Sequence, residues 1–316
     1  MKLAAALALA LWCDSSWRKE SVDPSKFELL HSVGSWKSRS LSPAGQALAV
    51  FAANNVRLVD LRKQKDDCVM AGNTAPIHDS GWSRDGRLFA TCGYDGSVRV
   101  WEAATGKSLA LLHPHTGYAC AVALSADGKF AATGGSEDNL VRIFEASGGR
   151  EVRSFQSPGG ATYALAFTMD GKQILTNHAD NTLRIFRTAD GSEVTSLRGT
   201  TGYVTSFGFS KDGRTLAHPT PDGPVVLLET AEWKEVRRFE GHPGGSLQAA
   251  FHPSGRWLTS TGQDGTLRLW EVATGKMARI LASEMGNNCR LSFTADGLSL
   301  VVIGTDEVVR IFGKKK

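Results

Sequence analysis

The feature that most constrains this chain is an apolar strand end that recurs at an almost constant spacing. Seven short apolar stretches end in an aromatic or aliphatic residue, and successive ends lie 42 or 43 residues apart. These residues are Val59, Trp101, Phe144, Phe186, Leu228, Trp270 and Phe312. A fixed period in this range is typical of repeat architectures, in which each repeat buries its faces against its neighbours. We therefore expect a repeat array rather than the two domains that 316 residues would otherwise suggest.

The clearest repeat, together with the stretch after it, predicts four short strands. Apolar stretches at residues 247–251, 257–260 and 266–270 are separated by turn sequences that contain Gly, Pro and Asp, and a fourth stretch follows at 277–281. Four antiparallel strands per unit is the composition of a propeller blade. No long helical pattern interrupts the series, so the predicted fold is all-β.

The same turn residues mark the other units. Each unit has a glycine in its first hairpin, and six units have an aspartate in their second hairpin, six residues before the strand end. They are Gly45, Gly86, Gly128, Gly171, Gly213, Gly255 and Gly297, and Asp95, Asp138, Asp180, Asp222, Asp264 and Asp306. Units that keep one phase over this length predict one closed ring of similar blades.

Closure of the ring is also predicted from the ends of the chain. The last unit supplies three strands, while an unpaired stretch at residues 26–31 precedes the first full unit. Pairing this stretch onto the last unit completes a seven-bladed β-propeller of four-stranded antiparallel blades and removes an exposed edge. We expect the propeller over residues 26–313, an N-terminal extension over 1–25 and a basic tail over 314–316.

The best-matching unit resembles a WD repeat. It begins with Gly241 and His242, has Asp264 in its second hairpin, and ends in Leu-Arg-Leu-Trp-Glu at Trp270. The phrases VWEAATGK and LWEVATGK are similar to bacterial members of the WD-repeat family, and the resemblance covers nearly all of residues 26–313. The chain departs from the family pattern because no Trp-Asp dipeptide occurs in it.

The resemblance implies a structural hydrogen-bond network of His, Ser or Thr, Asp and Trp within a blade. One unit matches it fully, and two match it in part. The matching residues are His242, Ser260, Asp264 and Trp270; then Thr91, Asp95 and Trp101, with Asn73 in place of the His; then His115, Thr133 and Asp138, with Phe144 in place of the Trp. With partial networks, we expect apolar packing between blades to contribute most of the stability.

Two other patterns suggest chemistry and are interpreted as structural. His242, Ser260 and Asp264 have the composition of a nucleophilic triad, but the resemblance places them in the buried network. His113 and His115 offer two imidazoles without a third ligand nearby, so no metal site is predicted. The remaining histidines carry no pattern.

An arginine stands two residues before the strand end in six units. The positions are Arg57, Arg99, Arg142, Arg184, Arg268 and Arg310. They either form a ring of cations for an acidic partner or pack between blades with their heads paired to acids, and we prefer the second interpretation.

The tyrosines are the better indication of a binding surface. Tyr94 precedes a hairpin Asp, and the other three tyrosines are predicted in loops that enter the first strand of a blade. Both locations open onto the same end of a propeller, and loops at one end of a rigid scaffold often carry function. The candidate partner-binding residues are Trp36, Lys37, His78, Tyr94, Tyr118, Tyr163, Tyr203, Asn287 and Arg290. Ordinary loop composition is the alternative explanation of this clustering.

The predicted function is a non-enzymatic protein–protein interaction scaffold that binds a peptide or domain on this loop face. The alternative is an exported propeller enzyme or ligand-binding protein that acts at the central channel. No catalytic residue, cofactor or metal is predicted. A net charge of +4 without a long basic tract gives no reason to predict a nucleic-acid partner.

The N-terminus predicts export. Lys2 precedes ten apolar residues, 3–12, and polar residues follow up to Ser16, which resembles a secretory signal and is too short for a transmembrane span. An exported or periplasmic location is preferred, with a cytoplasmic location as the alternative. The five cysteines show no zinc-ligand spacing and are expected to be buried or half-buried thiols.

Overall fold

The protein is described here by a computed structural model that covers nine stretches of the chain. They are residues 23–33, 38–45, 47–52, 54–60, 65–199, 207–285, 290–304, 306 and 308–314. Within these residues, 28 strands form seven antiparallel sheets of four strands each. The predicted all-β, seven-bladed architecture is confirmed.

The first four blades use consecutive strands. Blade 1 contains β2 (Ser38–Leu41), β3 (Ala47–Ala52), β4 (Asn55–Asp60) and β5 (Lys65–Met70); blade 2 contains β6 (Ile77–Trp82), β7 (Leu88–Gly93), β8 (Val98–Glu102) and β9 (Ser108–Leu112); blade 3 contains β10 (Ala119–Leu124), β11 (Phe130–Gly135), β12 (Leu140–Glu145) and β13 (Glu151–Gln156); blade 4 contains β14 (Thr162–Phe167), β15 (Gln173–His178), β16 (Thr182–Arg187) and β17 (Glu193–Arg198). In each blade the first strand is innermost and the fourth is the outer edge.

The last three blades complete the ring. Blade 5 contains β18 (Gly208–Phe209), β19 (Thr215–Pro219), β20 (Val225–Glu229) and β21 (Glu235–Phe239); blade 6 contains β22 (Ser246–Phe251), β23 (Trp257–Gly262), β24 (Leu267–Glu271) and β25 (Met277–Ala282); blade 7 contains β26 (Arg290–Phe293), β27 (Ser299–Ile303), β28 (Val309–Gly313) and β1 (Glu28–Val33). The fourth strand of blade 7 therefore comes from the N-terminal side of the chain, as the closure argument predicted.

The closing strand begins two residues later than the sequence indicated. Pro24–Lys26 form a 3-10 turn instead, in which Phe27 N–H donates to the Pro24 carbonyl at 3.0 Å. Asp23 stabilises this turn because its side chain accepts from Ser25 N–H at 2.9 Å. β1 then pairs with β28 from Glu28 to Val33.

The first hairpins are built from one repeated turn. Their seven glycines all have φ between 69 and 72°, which a side chain disfavours. In blade 2, Ser83 Oγ donates to Asp85 Oδ1 at 2.7 Å, and Asp85 Oδ1 accepts from Arg87 N–H at 3.0 Å. The same contacts recur at the equivalent residues Ser125 and Asp127, Thr168 and Asp170, Ser210 and Asp212, and Thr294 and Asp296.

The hydrophobic core is divided among the junctions between blades. Seven clusters of buried apolar side chains are present in the described residues, and each joins two neighbouring blades. Leu41 and Leu48 of blade 1, for example, pack with Val301 and Ile311 of blade 7. All seven residues of the sequence ladder are buried, at 7% exposure or less. Each blade thus buries its faces only in the presence of its neighbours.

The innermost strands share a β-bulge near their start. The register with the second strand shifts in five blades, 1, 2, 3, 4 and 6, and the extra residues are Arg39, His78, Cys120, Tyr163 and Leu247. A bulge re-aims a side chain relative to the regular pleat. The part of the chain that the structure describes contains no helix of the length and hydrophobicity needed to cross a bilayer.

Candidate binding face of the propeller

The second hairpins and the connections between blades lie at the same end of the ring. In blade 2, Tyr94 N–H of the second hairpin donates to the Pro76 carbonyl of the preceding connection at 3.1 Å. In blade 3, Tyr118 N–H of the connection donates to Ser136 Oγ of the second hairpin at 3.0 Å. We call this end the aromatic face, defined by His78, Tyr94 and Tyr118.

Three of the predicted binding residues form one ring cluster on the aromatic face. The ring centroids of His78 and Tyr94 are 5.4 Å apart with an interplanar angle of 70°, and those of Tyr94 and Tyr118 are 5.0 Å apart at 67°. Both contacts have the edge-to-face geometry that aromatic quadrupoles favour. Tyr94 is 48% exposed and Tyr118 is 47% exposed, so the cluster is fixed on one side and open to solvent on the other.

A hydrogen bond between two bulge residues fixes the position of His78 in this cluster. His78 Nδ1 lies 2.8 Å from the Cys120 carbonyl oxygen, and since a carbonyl only accepts, Nδ1 carries the proton. His78 and Cys120 occupy equivalent bulges of neighbouring blades. The hydrogen bond therefore ties blade 2 to blade 3 directly beneath the tyrosines.

Arg290, another predicted binding residue, is bound within the protein. Its Nη2 lies 2.9 Å from Asp79 Oδ1, and the side chains are 19% and 10% exposed. Asp79 follows His78 in the inner strand of blade 2, whereas Arg290 begins the inner strand of blade 7. Blade 1 lies between those two blades, so the ion pair spans the inner side of blade 1.

A second contact joins blades that do not adjoin, and it crosses the centre from the first hairpin of blade 2. Arg84 Nη2 donates to the Lys211 carbonyl of blade 5 at 3.2 Å, and Arg84 Nη1 lies 3.2 Å from Met169 Sδ of blade 4. Since first hairpins lie at the opposite end from the second hairpins, side chains join blades that do not adjoin at two levels.

The remaining predicted binding residues are not brought into the cluster. Tyr163 is the bulge residue of β14 and is half-buried, so its placement in a loop was wrong. Strand β14 begins at Thr162, before the point at which the loop was expected to end, and it includes the bulge at Tyr163. Four predicted residues lie outside the described part of the chain: Trp36, Lys37, Tyr203 and Asn287.

The network predicted for blade 6 is present as a chain of four side chains. Trp270 Nε1–H donates to Ser260 Oγ at 2.7 Å, Ser260 Oγ lies 2.7 Å from His242 Nε2, and His242 Nδ1 lies 3.0 Å from Asp264 Oδ1. Burial lowers the pKa of His242, against the opposing effect of Asp264. Burial opposes the ionisation of Asp264, but hydrogen bonds from His242 and Thr266 hold its pKa below the ordinary value.

This geometry excludes Ser260 as a nucleophile of the triad type. Ser260 is 0% exposed, and its oxygen already accepts from an indole. A nucleophilic serine needs access to substrate and an oxyanion site, neither of which a fully buried hydroxyl has.

Blades 2 and 3 have shortened versions of the network. In blade 2, Trp101 Nε1–H donates to Thr91 Oγ1 at 3.1 Å, while Asp95 accepts from Thr74 N–H at 3.1 Å. In blade 3, His115 lies between Thr133 Oγ1 at 2.9 Å and Asp138 Oδ2 at 2.8 Å. Both nitrogens of His115 are therefore engaged. The described residues contain no cluster of three or more His, Cys, Asp or Glu side chains that could hold a metal.

Blade 4 contains a network that the sequence analysis missed. His178 Nε2 lies 2.9 Å from Ser157 Oγ and 2.8 Å from Thr176 Oγ1, and all three residues are fully buried. Ser157 precedes Pro-Gly-Gly as His242 does in blade 6, and His178 stands where blades 3 and 6 have Gly135 and Gly262. The imidazole has thus moved from the connection to the strand, and a hydroxyl takes its place in the connection. Alignment of SPGG with HPGG was the available signal.

The glycines explain why the two positions change together. A Cβ at Gly262 would lie 2.4 Å from His242 Nδ1, and one at Gly135 would lie 2.7 Å from His115 Nδ1. The strand can therefore carry a histidine only where the connection carries a smaller residue.

Blade 5 has a different histidine at the network position. His218 takes the place of Ser260, is 4% exposed, and has no hydrogen-bond partner for either nitrogen among the described residues. Burial lowers its pKa to about 4, so His218 is neutral at physiological pH.

The arginines before the strand ends are mostly paired with acids. Arg142 lies 3.2 Å from Glu151, Arg268 lies 2.7 Å from Asp264, and Arg184 bridges Asp180 and Glu193. Arg310 is paired with Asp306. These contacts support the structural interpretation rather than an open ring of cations.

Three of the cysteines lie in the described residues. Cys92 and Cys120 are buried, and Cys68 is half-buried. Burial and the neighbouring Asp79 carboxylate raise the pKa of Cys120 to about 11, and burial raises that of Cys92. Both thiols are consequently protonated and unreactive in the folded state.

Comparison with known proteins agrees with this architecture. Three segments match the family model described as "WD domain, G-beta repeat", at residues 66–102, 106–145 and 233–271. Each segment contains the outer strand of one blade and the first three strands of the next. A WD repeat-containing protein of Synechocystis sp. (strain ATCC 27184 / PCC 6803 / Kazusa) is 30% identical over 106 residues, which span 32% of this chain and 30% of that relative.

The seven closed blades and these matches together identify the class. Four-stranded blades closed by a strand from the N-terminal side define a seven-bladed β-propeller. Three of its blades are matched as WD repeats, and the chain is similar to the WD-repeat family over those blades. WD-repeat propellers are generally protein-interaction scaffolds.

Proposed function

We propose that this propeller is a non-enzymatic scaffold that binds a peptide segment or a domain of a protein partner on its aromatic face. The observation that carries the proposal is the cluster of His78, Tyr94 and Tyr118. Its rings are held against one another and to the backbone of blade 3, yet both tyrosines are about half exposed.

The energetics favour this use of the cluster. Tyrosine is enriched at binding hot spots because a large ring is immobilised at small entropic cost. Here the rings are already ordered in the free protein, so binding loses little additional side-chain entropy. A propeller adds a rigid framework that keeps the cluster in place when a partner is absent.

The test is selection of short random displayed peptides on the purified full chain, followed by a second screen on variants. The double substitution Tyr94→Ala and Tyr118→Ala is expected to abolish binding of most selected peptides. The matched control removes apolar side chains of similar exposure from outer strands, Leu111→Ala and Val236→Ala, and should leave binding unchanged. Peptides that depend on the outer-strand residues and not on the tyrosines would contradict the proposal.

A further inference from the structure

Two carboxylates flank the tyrosine pair on the aromatic face. Asp95 follows Tyr94 in the second hairpin of blade 2. Glu137 lies in the corresponding hairpin of blade 3, and its carboxyl group packs so closely on Gly117, the residue before Tyr118, that an added Cβ would lie 2.9 Å from Oε1. One acid thus adjoins each tyrosine, in the neighbouring blades 2 and 3.

These two carboxylates differ from the other acids nearby because no basic side chain neutralises their charge within the described residues. Asp138 is paired with His115, and Asp79 is paired with Arg290. Within the described residues, neither Asp95 nor Glu137 has a lysine, arginine or histidine partner. Asp95 accepts hydrogen bonds from Thr74 and Ser97, which hold it in place without neutralising its charge.

The exposed rings add attraction of the same sign. The face of a tyrosine ring carries negative potential and attracts a cation that lies within about 6 Å of its centroid. A cationic group placed at Tyr94 and Tyr118 would therefore interact with the rings and with Asp95 and Glu137 together. An acidic group in the same place would be repelled by both carboxylates.

We propose that the aromatic face recognises a lysine or arginine side chain of the bound segment. This cation would lie against the exposed rings of Tyr94 and Tyr118 and beside the carboxylates of Asp95 and Glu137. This inference rests on the proposed function, since it names the chemistry of the peptide that the aromatic face binds. It commits to a basic peptide rather than an acidic or purely apolar one.

The experiment uses the same displayed peptides, sorted by whether the tyrosine double variant abolishes their binding. The tyrosine-dependent peptides are expected to be enriched in lysine and arginine relative to the starting library. A selected basic peptide, labelled with fluorescein and followed by anisotropy, should bind Glu137→Gln about fivefold more weakly than the parent protein. Its affinity should also fall as salt is raised, because exposed charges are screened.

Two further variants keep the result specific. Tyr118→Phe retains the ring and should bind nearly as well as the parent protein, which separates loss of the ring from loss of the fold. Glu240→Gln makes the same charge change at an exposed residue in the connection between blades 5 and 6, and should not alter binding. Thermal unfolding of each variant confirms that it is folded.

Tyrosine-dependent peptides that are acidic or uncharged would overturn this inference and leave the proposed function standing. Equal effects of Glu137→Gln and Glu240→Gln would overturn it as well. If no selected peptide depends on the tyrosines, the proposed function fails and this inference fails with it.

Discussion

Asp79 of blade 2 and Arg290 of blade 7 form an ion pair of 2.9 Å that spans the inner side of blade 1. The two residues are 211 positions apart, and they belong to inner strands that do not adjoin. Both are mostly buried, so neither charge can be solvated well once its partner is removed. The pair therefore links blade 7 to blade 2 across blade 1, next to the junction between the last blade and the first.

Removing the cation from this pair should be costly. Arg290→Met leaves the Asp79 carboxylate buried without its cation, with only Val122 N–H as a donor at 3.4 Å among the described residues, and is expected to lower the free energy of unfolding by about 3 kcal/mol, measured in urea. The double variant Asp79→Asn, Arg290→Met removes both charges and should recover much of that loss. Glu232→Gln breaks an exposed pair with Lys234 and serves as the control, with an expected change of less than about 1 kcal/mol. Equal free energies of unfolding for Arg290→Met and the control would show that the ion pair does not stabilise the propeller.

The different placement of the imidazole in blades 4 and 6 predicts strong coupling between two positions. In blade 6, Gly262→His alone places a side chain into His242, and His242→Ser alone removes the imidazole that contacts both Ser260 and Asp264. Each should destabilise the protein by about 1–3 kcal/mol. The double variant reproduces the arrangement of blade 4 and should be more stable than the sum of the single changes by at least about 1 kcal/mol. A double-mutant cycle in urea measures this, and additive losses would argue against the coupling.

Acidification should destabilise the propeller before its carboxylates titrate. Burial lowers the pKa of five histidines, His115, His178, His218, His242 and His252, and that of His218 to about 4. The unfolded chain binds protons at these residues below about pH 6.5, whereas the folded chain does not. The contribution of these neutral histidines to the free energy of unfolding should therefore be fully present above that pH. It should be lost as the pH decreases towards 4.

His218 provides the test of this pH dependence. His218→Thr introduces the residue type found at the equivalent positions Thr91 and Thr133. Between about pH 6 and 4.5, the slope of unfolding free energy against pH should decrease by roughly 1.4 kcal/mol per pH unit, the value for one proton. Parallel curves for the two proteins would mean that His218 is protonated in the folded state.

Alanine substitutions at two first-hairpin glycines distinguish the effect of backbone strain from the effect of packing between blades 1 and 7. Gly45 and Gly255 both have φ of 71°, so an alanine costs about 1 kcal/mol or slightly more at either position. An added Cβ at Gly45 would lie 2.8 Å from Thr294 Cγ2 of blade 7 and 3.2 Å from its Cα, whereas none of the surrounding atoms lies within 4 Å of one at Gly255. Gly45→Ala should therefore lower the midpoint of thermal unfolding more than Gly255→Ala. Equal shifts would show that blade 7 yields at this contact.

The sequence predicted the fold almost completely because the fold is repeated. The buried ladder from Val59 to Phe312, the hairpin glycines and the closing strand all follow from one period combined with the need to pair every edge. The error in the start of β1 arose where the repeat gives no information, since Asp23 and Pro24 form a local turn.

The candidate site was predictable only in part. The period places Tyr94 and Tyr118 at one end, but the third ring of the cluster, His78, lies at a bulge that an apolar pattern does not reveal. The pairing of Arg290 with Asp79 depends on side-chain reach past the inner side of blade 1, and no periodicity encodes it. His178 was missed because its imidazole comes from the strand position that is glycine in blades 3 and 6, while a serine occupies the usual place of the histidine.

The pairing of β1 with β28 gives this repeat protein no terminal repeat. In an open array the first and last repeats each lack one neighbour, and they fray first unless capping units protect them. Here Glu28 pairs with Gly313, and blade 1 packs on blade 7 through Leu41 and Val301. Local opening must then begin by separating that one seam, so the cooperativity of the whole array depends on a strand of six residues.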